Sequence, residues 1–143
     1  YNLQVGESTA EQIKIQIGSA SPLDEELTME VKGHDFIAGM PRTMTIKSEE
    51  IREALNEPVT AIIEAVKQAL SMTPAELSAD IYDKGIIMTG GASQLRGFDE
   101  RIRKETGLSV NVIDDALVCV CKGAARILED LDKYRPVLIA SSN

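Results

Sequence analysis

The sequence predicts a mixed α/β chain folded as two lobes, and three observations predict it. The hydrophobic period switches from helical to alternating and back to helical over residues 8–72. From residue 86 onward the order strand, glycine turn, helix, strand, helix is that of half a layered α/β domain. The composition is globular: of 143 residues, 43 % are hydrophobic and 27 % charged, which supplies enough apolar surface for a core. Aromatic residues make up only 3 % and Trp is missing, so that core has to be aliphatic. The first lobe, of helices and a small sheet, is expected over residues 8–75, and the second, α/β, over residues 76–143.

Taken in order, residues 8–20, "STAEQIKIQIGSA", read as a helix. Ser8 followed three residues later by Glu11 matches a capping box, in which each side chain bonds the other residue's backbone N–H. Ile13, Ile17 and Ala20 fall on one face. Ser21-Pro22 ends the helix, because a residue before proline avoids helical angles. Leu27, Met29 and Val31 then alternate with polar residues, the mark of a half-buried strand. "GHD" at 33–35 reads as a turn, Phe36 and Ile37 as the start of a return strand, and "GMPR" at 39–42 as a second turn before Met44 and Ile46. The expectation is an antiparallel meander.

Residues 49–72 carry the best-defined helical stripe: Ile51, Leu55, Val59, Ile62, Ile63, Val66 and Leu70. Ser48 reads as its cap, and Glu49 and Glu50 suit its positive end. Pro58 inside the pattern predicts a kink or a break near Asn56. "TPAE" at 73–76 opens another helix, with Thr73 as cap, Pro74 in the first turn and Glu76 closing a capping box. A strand at 86–89 runs into Gly90-Gly91, a helix near 98–105 ends at Gly107, and "LSVNVI" at 108–113 is another strand. Asp114 or Asp115 reads as the cap of a last helix reaching about Leu131, with Leu117, Val120, Ala124, Ile127 and Leu131 turned inward. The tail has an apolar patch at 137–139.

The formal charge of −8 argues against a nucleic-acid partner, which would need clustered Lys and Arg. The densest basic group, Arg96, Arg101, Arg103 and Lys104, reads as a solvated surface. The longest apolar run, "ALVCVC" at 116–121, is about a third of the length that spans a bilayer. The chain starts at Tyr1 with neither an initiator Met nor a secretory signal, and reads as a piece of a longer protein. Cys119 and Cys121, two apart on a helix, point to different sides and read as small buried side chains in a reducing cytoplasm.

Candidate chemistry is confined to two places. Glycines after a strand let backbone N–H groups approach an anion, and the helix beyond adds its positive end. "TGGAS" at 89–93 has that order but is neither G-x-G-x-x-G nor a P-loop, so a nucleotide cradle and a plain strand-to-helix turn both remain open. Glu11 and Lys14, three apart on one helical face, could meet a ribose hydroxyl and a base edge, or be a cap residue and a solvated charge. No pair of nucleophile and base is visible; His34 reads as a turn residue, and Asp114-Asp115 as a helix cap rather than a metal site.

The weak signals combine. "GESTAEQIKIQIGSA" (6–20), "MEVKGHDFIAGMPRTMTI" (29–46), "SEEIREALNEPVTAIIEAVKQAL" (48–70), "ADIYDKGIIMTGGASQLRGFDERIRKETGLSVNV" (79–112) and "DKYRPVL" (132–138) resemble the bacterial actin-like MreB/Mbl family, in one register over nearly the whole chain. The resemblance implies the actin-like ATPase second domain: 8–75 as its small outer lobe and 76–143 as part of its ribonuclease-H-like lobe. It implies that Glu11 and Lys14 contact ribose and adenosine, and that Gly90, Gly91, Ala92 and Ser93, with Gln94, lie along the phosphate and base side of ATP-Mg. Where close relatives commonly have a third glycine, this chain has Ala92. His34 stands where relatives often have Arg and is given no role.

Nothing in the chain resembles the family's two Asp- and Gly-containing phosphate loops, which hold Mg and the attacking water, or the membrane-inserting segment of its first domain. The resemblance therefore implies a parent that is an ATPase, polymerises with itself at the cytoplasmic face of the membrane and organises cell-wall synthesis. Its partners would include the cell-wall elongation machinery and a RodZ-like membrane protein. The 143 residues alone are expected to bind ATP weakly and to hydrolyse it negligibly. A heat-shock chaperone or sugar-kinase-like ATPase would share the glycine turn but not "GMPRTMTI" or "DKYRPVL". A nucleotide-free interaction module is the third reading.

Overall fold

The computed structural model describes residues 2–138. Its first part is a three-stranded antiparallel sheet backed by a helix. Strand β1 (Leu3–Gln4) leads into helix α1 (Glu7–Ile17), then come β2 (Thr28–Asp35) and β3 (Met40–Lys47), in the sheet order β1-β2-β3. β2 and β3 form a single hairpin, in register from Thr28 opposite Lys47 to Asp35 opposite Met40. Their alternating Met29, Val31, Met44 and Ile46 face α1, whose Ile13 and Ile17 complete a buried cluster with Val31 and Ile46.

The expected meander is thus one hairpin plus a short third strand, and both expected turns are misplaced. "GHD" is strand, not turn, and "GMPR" lies almost wholly in β3. Gly33 is small because β1 runs beside it, not because the chain bends there. A Cβ on Gly33 would meet the Gln4 carbonyl oxygen and lie 2.8 Å from Leu3 Cγ. The true turn is 36–39, and Asp35 builds it. The Asp35 carboxylate accepts from the N–H groups of Ile37 (2.8 Å) and Ala38 (3.0 Å) and from the Arg42 guanidinium (3.0 Å). His34 is an exposed residue of β2, set edge-to-face against Phe36 at 6.3 Å, rather than a turn residue.

Helix α2 (Ser48–Ser71) runs unbroken through Pro58 for 24 residues, so the expected break is not there. It spans two cores. Ile51 packs on the first cluster, while Val59 and Ile63 join Ala20, Phe98, Ile102 and Val110 in a second. Ser48 is the first helical residue instead of the cap, and the Glu50 carboxylate accepts from the Lys47 N–H at 2.9 Å. Thr73 closes α2 rather than opening the next helix: its hydroxyl donates to the Ala69 carbonyl (2.8 Å), and α3 (Ala75–Lys84) starts with no side-chain cap.

The second part is a two-stranded parallel sheet, β4 (Ile86–Met88) with β5 (Val110–Val112), joined through a short 3-10 turn (Gly91–Gln94) and α4 (Phe98–Thr106). Gly107, at φ 73°, ends α4 as expected. The last long helix, α5, is Cys119–Glu129; it starts four residues beyond Asp115, whose carbonyl instead accepts from Val118 N–H at 2.9 Å. Of its expected inward stripe only Ile127 is half-buried, and Leu117, Val120, Ala124 and Leu131 are exposed. Among the described residues nothing covers that face. Cys119 is half-buried and Cys121 exposed, both free, which corrects the expectation of buried cysteines. A four-residue α6 (Leu131–Tyr134) and a 3-10 turn (Arg135–Val137) follow. Of the tail patch expected at 137–139, Ile139 lies outside the described residues.

Candidate functional site

The glycine turn is held from inside. Gly90 adopts φ 81° and ψ 173°, a region open in practice to glycine alone. Its N–H donates to the Ala116 carbonyl at 2.8 Å, which ties the turn to the segment beyond β5. Its carbonyl accepts from Ser93 twice, from the N–H at 3.2 Å and from the hydroxyl at 2.6 Å. Ser93 is buried, so its side chain builds the turn. Gly91, Ala92 and Gln94 are exposed. Gly91 and Ala92 head the 3-10 turn, where N–H groups find no partner within the turn itself. No non-glycine residue described has a positive φ, so Ala92 sits in the turn without the backbone strain that would call for glycine.

Glu11 and Lys14 lie exposed on α1 and pair with each other at 2.6 Å. The expected capping box is not formed: α1 begins at Glu7 with Gly6 as its N-cap and no side-chain cap. Ala20, expected on the helix face, lies beyond the helix end and is buried in the second core.

The structure brings the C-terminal end of α1 against the chain immediately after the glycine turn. Ser19 and Arg96 form a parallel bridge, and Ala20 N–H donates to the Arg96 carbonyl at 2.8 Å. The Ser21 hydroxyl donates to the Gly97 carbonyl at 2.8 Å. The Arg96 guanidinium donates to the carbonyls of Ile15 (3.0 Å) and Gly18 (3.4 Å) at the negative end of α1. Arg101 reaches the Ala20 carbonyl (3.2 Å), Asn56 (2.7 Å) and Thr60 (3.0 Å), and Arg103 the Val110 carbonyl (3.0 Å). The basic group read as a solvated surface therefore includes three arginines that stitch elements together. Their signal in the sequence was only their clustering after the turn; their partners lie up to 81 residues away.

Several carboxylates are held by neighbours elsewhere. Asp35 is held below the usual carboxylate range by the Ala38 N–H, then by Arg42 and the Ile37 N–H. Glu26 is lowered by Arg52 and then Ser48, and Glu105 by Lys67, whose own value is raised. Among the described residues no three His, Cys, Asp or Glu side chains converge as a metal site, and no helix is long and apolar enough to cross a membrane.

Comparison with known proteins places this geometry. The sequence profile of the MreB/Mbl protein family matches residues 1–136. The cell shape-determining protein MreB of Escherichia coli (strain K12) is 46 % identical over 134 residues, 94 % of this chain and 39 % of the relative. The cell shape-determining protein Mbl of Bacillus subtilis (strain 168) is 42 % identical over 133 residues, 93 % of this chain and 40 % of the relative. The chain thus spans about two fifths of the length of these relatives. Among solved structures, MreB5 of Spiroplasma citri bound to ADP superposes with a TM-score of 0.89 at 33 % identity, over 95 % of this chain and 41 % of the other. The MamK double helical filament gives 0.71 at 25 % identity, over 90 % of this chain and 39 % of the other. With the profile matched along nearly its whole length and an actin-like fold to go with it, the chain belongs to the MreB/Mbl family of bacterial actin homologues.

Proposed function

We propose that this chain is the second-domain portion of an ATP-binding, filament-forming protein that sets rod cell shape by organising cell-wall synthesis. The observation that carries the reading is the superposition of nearly the whole chain on an MreB5 bound to ADP, and equally on MreB5 bound to AMPPNP at a TM-score of 0.88. Glu11 and Lys14 would take ribose and adenosine, and Gly90, Gly91, Ala92, Ser93 and Gln94 would line the phosphate and base side. Ser93 serves by shaping the turn, because its hydroxyl is committed to the Gly90 carbonyl. Gly91 and Ala92 are exposed, which leaves the head of the turn open to a ligand.

The division into an outer lobe (8–75) and a ribonuclease-H-like lobe (76–143) belongs to the same proposal. A buried cluster drawn wholly from residues before 76 supports an outer lobe, while the second cluster joins Ala20, Val59 and Ile63 to Phe98, Ile102 and Val110 and so packs the two proposed lobes together. The MamK filament supports self-association as the working state. The cell-wall elongation machinery, a RodZ-like membrane partner and a place at the cytoplasmic face of the membrane complete the proposed setting. Magnesium would arrive with ATP and be held by loops outside these residues; bound there, it would neutralise phosphate charge.

The test is calorimetric. The longer protein that includes this chain should bind ATP with micromolar affinity and hydrolyse it, whereas the 143 residues alone should bind weakly and turn over negligibly. Micromolar binding with measurable turnover by the isolated chain would overturn the assignment of one cleft wall. No binding by the longer protein would overturn the nucleotide reading altogether.

A further inference from the structure

We infer that Arg96 is a positioning residue, which fixes Lys14 and Glu11 relative to the glycine turn; the inference rests on the nucleotide reading above. Glu11 and Lys14, three apart, share one face of α1, and Gly18, the residue that caps its C-terminal end, follows four residues later. Arg96 grips that end. Its guanidinium takes the Ile15 and Gly18 carbonyls, which the helix itself leaves without partners. Gly18 N–H in turn donates to the Lys14 carbonyl at 2.9 Å, one turn back.

The other end of Arg96 is equally fixed. Its backbone is bridged to Ser19 and bonded to Ala20, and Gly97 beside it leaves no room to shift: a Cβ there would lie 2.8 Å from Ser21 Cβ. Two residues before Arg96 the 3-10 turn ends at Gln94, and Leu95 N–H closes it on the Ala92 carbonyl at 3.2 Å. One side chain thus joins the hydrogen-bonded end of the turn to the C-terminal end of α1. A ligand touching both would find them in a set relation before it bound, and binding would not have to order them. Arg suits the task better than Lys, because its planar fork can meet two carbonyls at once.

The experiment uses the longer protein that includes this chain and has two arms. Without nucleotide, amide hydrogen exchange is read at Gly18, Ser93 and Leu95. Arg96→Ala should accelerate all three together, about tenfold, as expected for a lost charge-assisted hydrogen bond. Ser21→Ala, which removes only the bond to Gly97, should accelerate Leu95 more than Gly18. With nucleotide, ATP affinity is measured for Lys14→Ala, Arg96→Ala and the double variant. If Arg96 acts through Lys14, Lys14→Ala should weaken binding several-fold in the unmodified protein and by under twofold once Arg96 is gone. Arg96→Lys should recover part of the affinity.

Independent responses of Gly18 and Ser93, or a Lys14→Ala effect of equal size in both backgrounds, would overturn the inference and leave Arg96 a surface stitch. Absence of ATP binding by the unmodified protein would instead refute the nucleotide reading. The exchange arm needs no nucleotide and tells the two failures apart.

Discussion

Gly90 and Gly91 are adjacent and chemically identical, yet the backbone asks different things of them. Gly90, at φ 81° and ψ 173°, occupies a region where a side chain costs about 1–3 kcal/mol, although nothing stands within 4 Å of the place a Cβ would take. Gly91 has no positive φ, and the nearest atom to its virtual Cβ is Leu117 Cδ2 at 3.4 Å, an ordinary contact. Urea unfolding should therefore show Gly90→Ala destabilised by about 1–3 kcal/mol and Gly91→Ala within about 0.5 kcal/mol of the parent. Ala92→Gly should lose about 0.5–1 kcal/mol through added freedom in the unfolded chain. Equal losses at positions 90 and 91 would show that the backbone angle at Gly90 does not set the cost. The pair was legible in the sequence as a turn, but which glycine is obligatory was not, because that depends on where Ala116 draws the Gly90 N–H. Arg96 was illegible for a similar reason: nothing local marks a guanidinium that serves a helix end 78–81 residues earlier.

At the scale of the element, the start of α2 is locked to the loop before β2 by one buried hydroxyl. Ser48 is wholly buried; it accepts from Leu27 N–H at 2.8 Å and donates to the Glu26 carboxylate, which Arg52 holds from the other side at 2.6 Å. Ser48→Ala leaves the Leu27 N–H without its partner and should cost about 1–3 kcal/mol. It should also let the Glu26 carboxyl rise part of the way towards its ordinary value, since Arg52 first and Ser48 second hold it down. A carboxyl lowered on folding adds stability above its unfolded value and loses it as pH falls through the lower, folded one. Urea midpoints taken between about pH 7 and pH 3 should thus drop on acidification, and the drop should be smaller in Ser48→Ala. An unchanged pH profile would remove Glu26 from the junction. The sequence placed the centres of the first two helix stripes, since their period is local: Ile13, Ile17, Val59 and Ile63 are buried where the pattern put them, although Ile62 of the same pattern is exposed. It misplaced the hairpin turns, because Gly33 answers to β1, a strand some 30 residues earlier. Ser48 and Thr73, read as caps from their position, serve instead the loop before and the helix before.

For the whole molecule, the apolar pattern exceeds what the described residues can bury. β4 pairs only with β5 among them, and a two-stranded sheet is marginal by itself. Ile87 on β4 is 65 % exposed, Val120 and Leu128 on α5 are 77 % and 70 % exposed, and neither α3 nor α5 has a buried residue. The inward stripe read on the last helix is not buried: Leu117, Val120, Ala124 and Leu131 are exposed, and among the described residues nothing covers them. Two well-packed clusters hold the rest, so the chain should fold around α1, the hairpin, α2 and α4 while keeping an adhesive surface on the side of β4 and α5. Light scattering on the isolated 143 residues should show association that grows with concentration and fades at low concentration. Ile87→Lys and Val120→Glu each place charge at an exposed apolar position that belongs to neither core, so each should shift the chain towards monomer without lowering the urea midpoint. A monodisperse monomer with a high melting temperature would show that this face is covered within the chain. Association unchanged by both substitutions would move the adhesive surface elsewhere, with the hairpin tip at Phe36, Ile37 and Met40, all exposed, the next place to substitute.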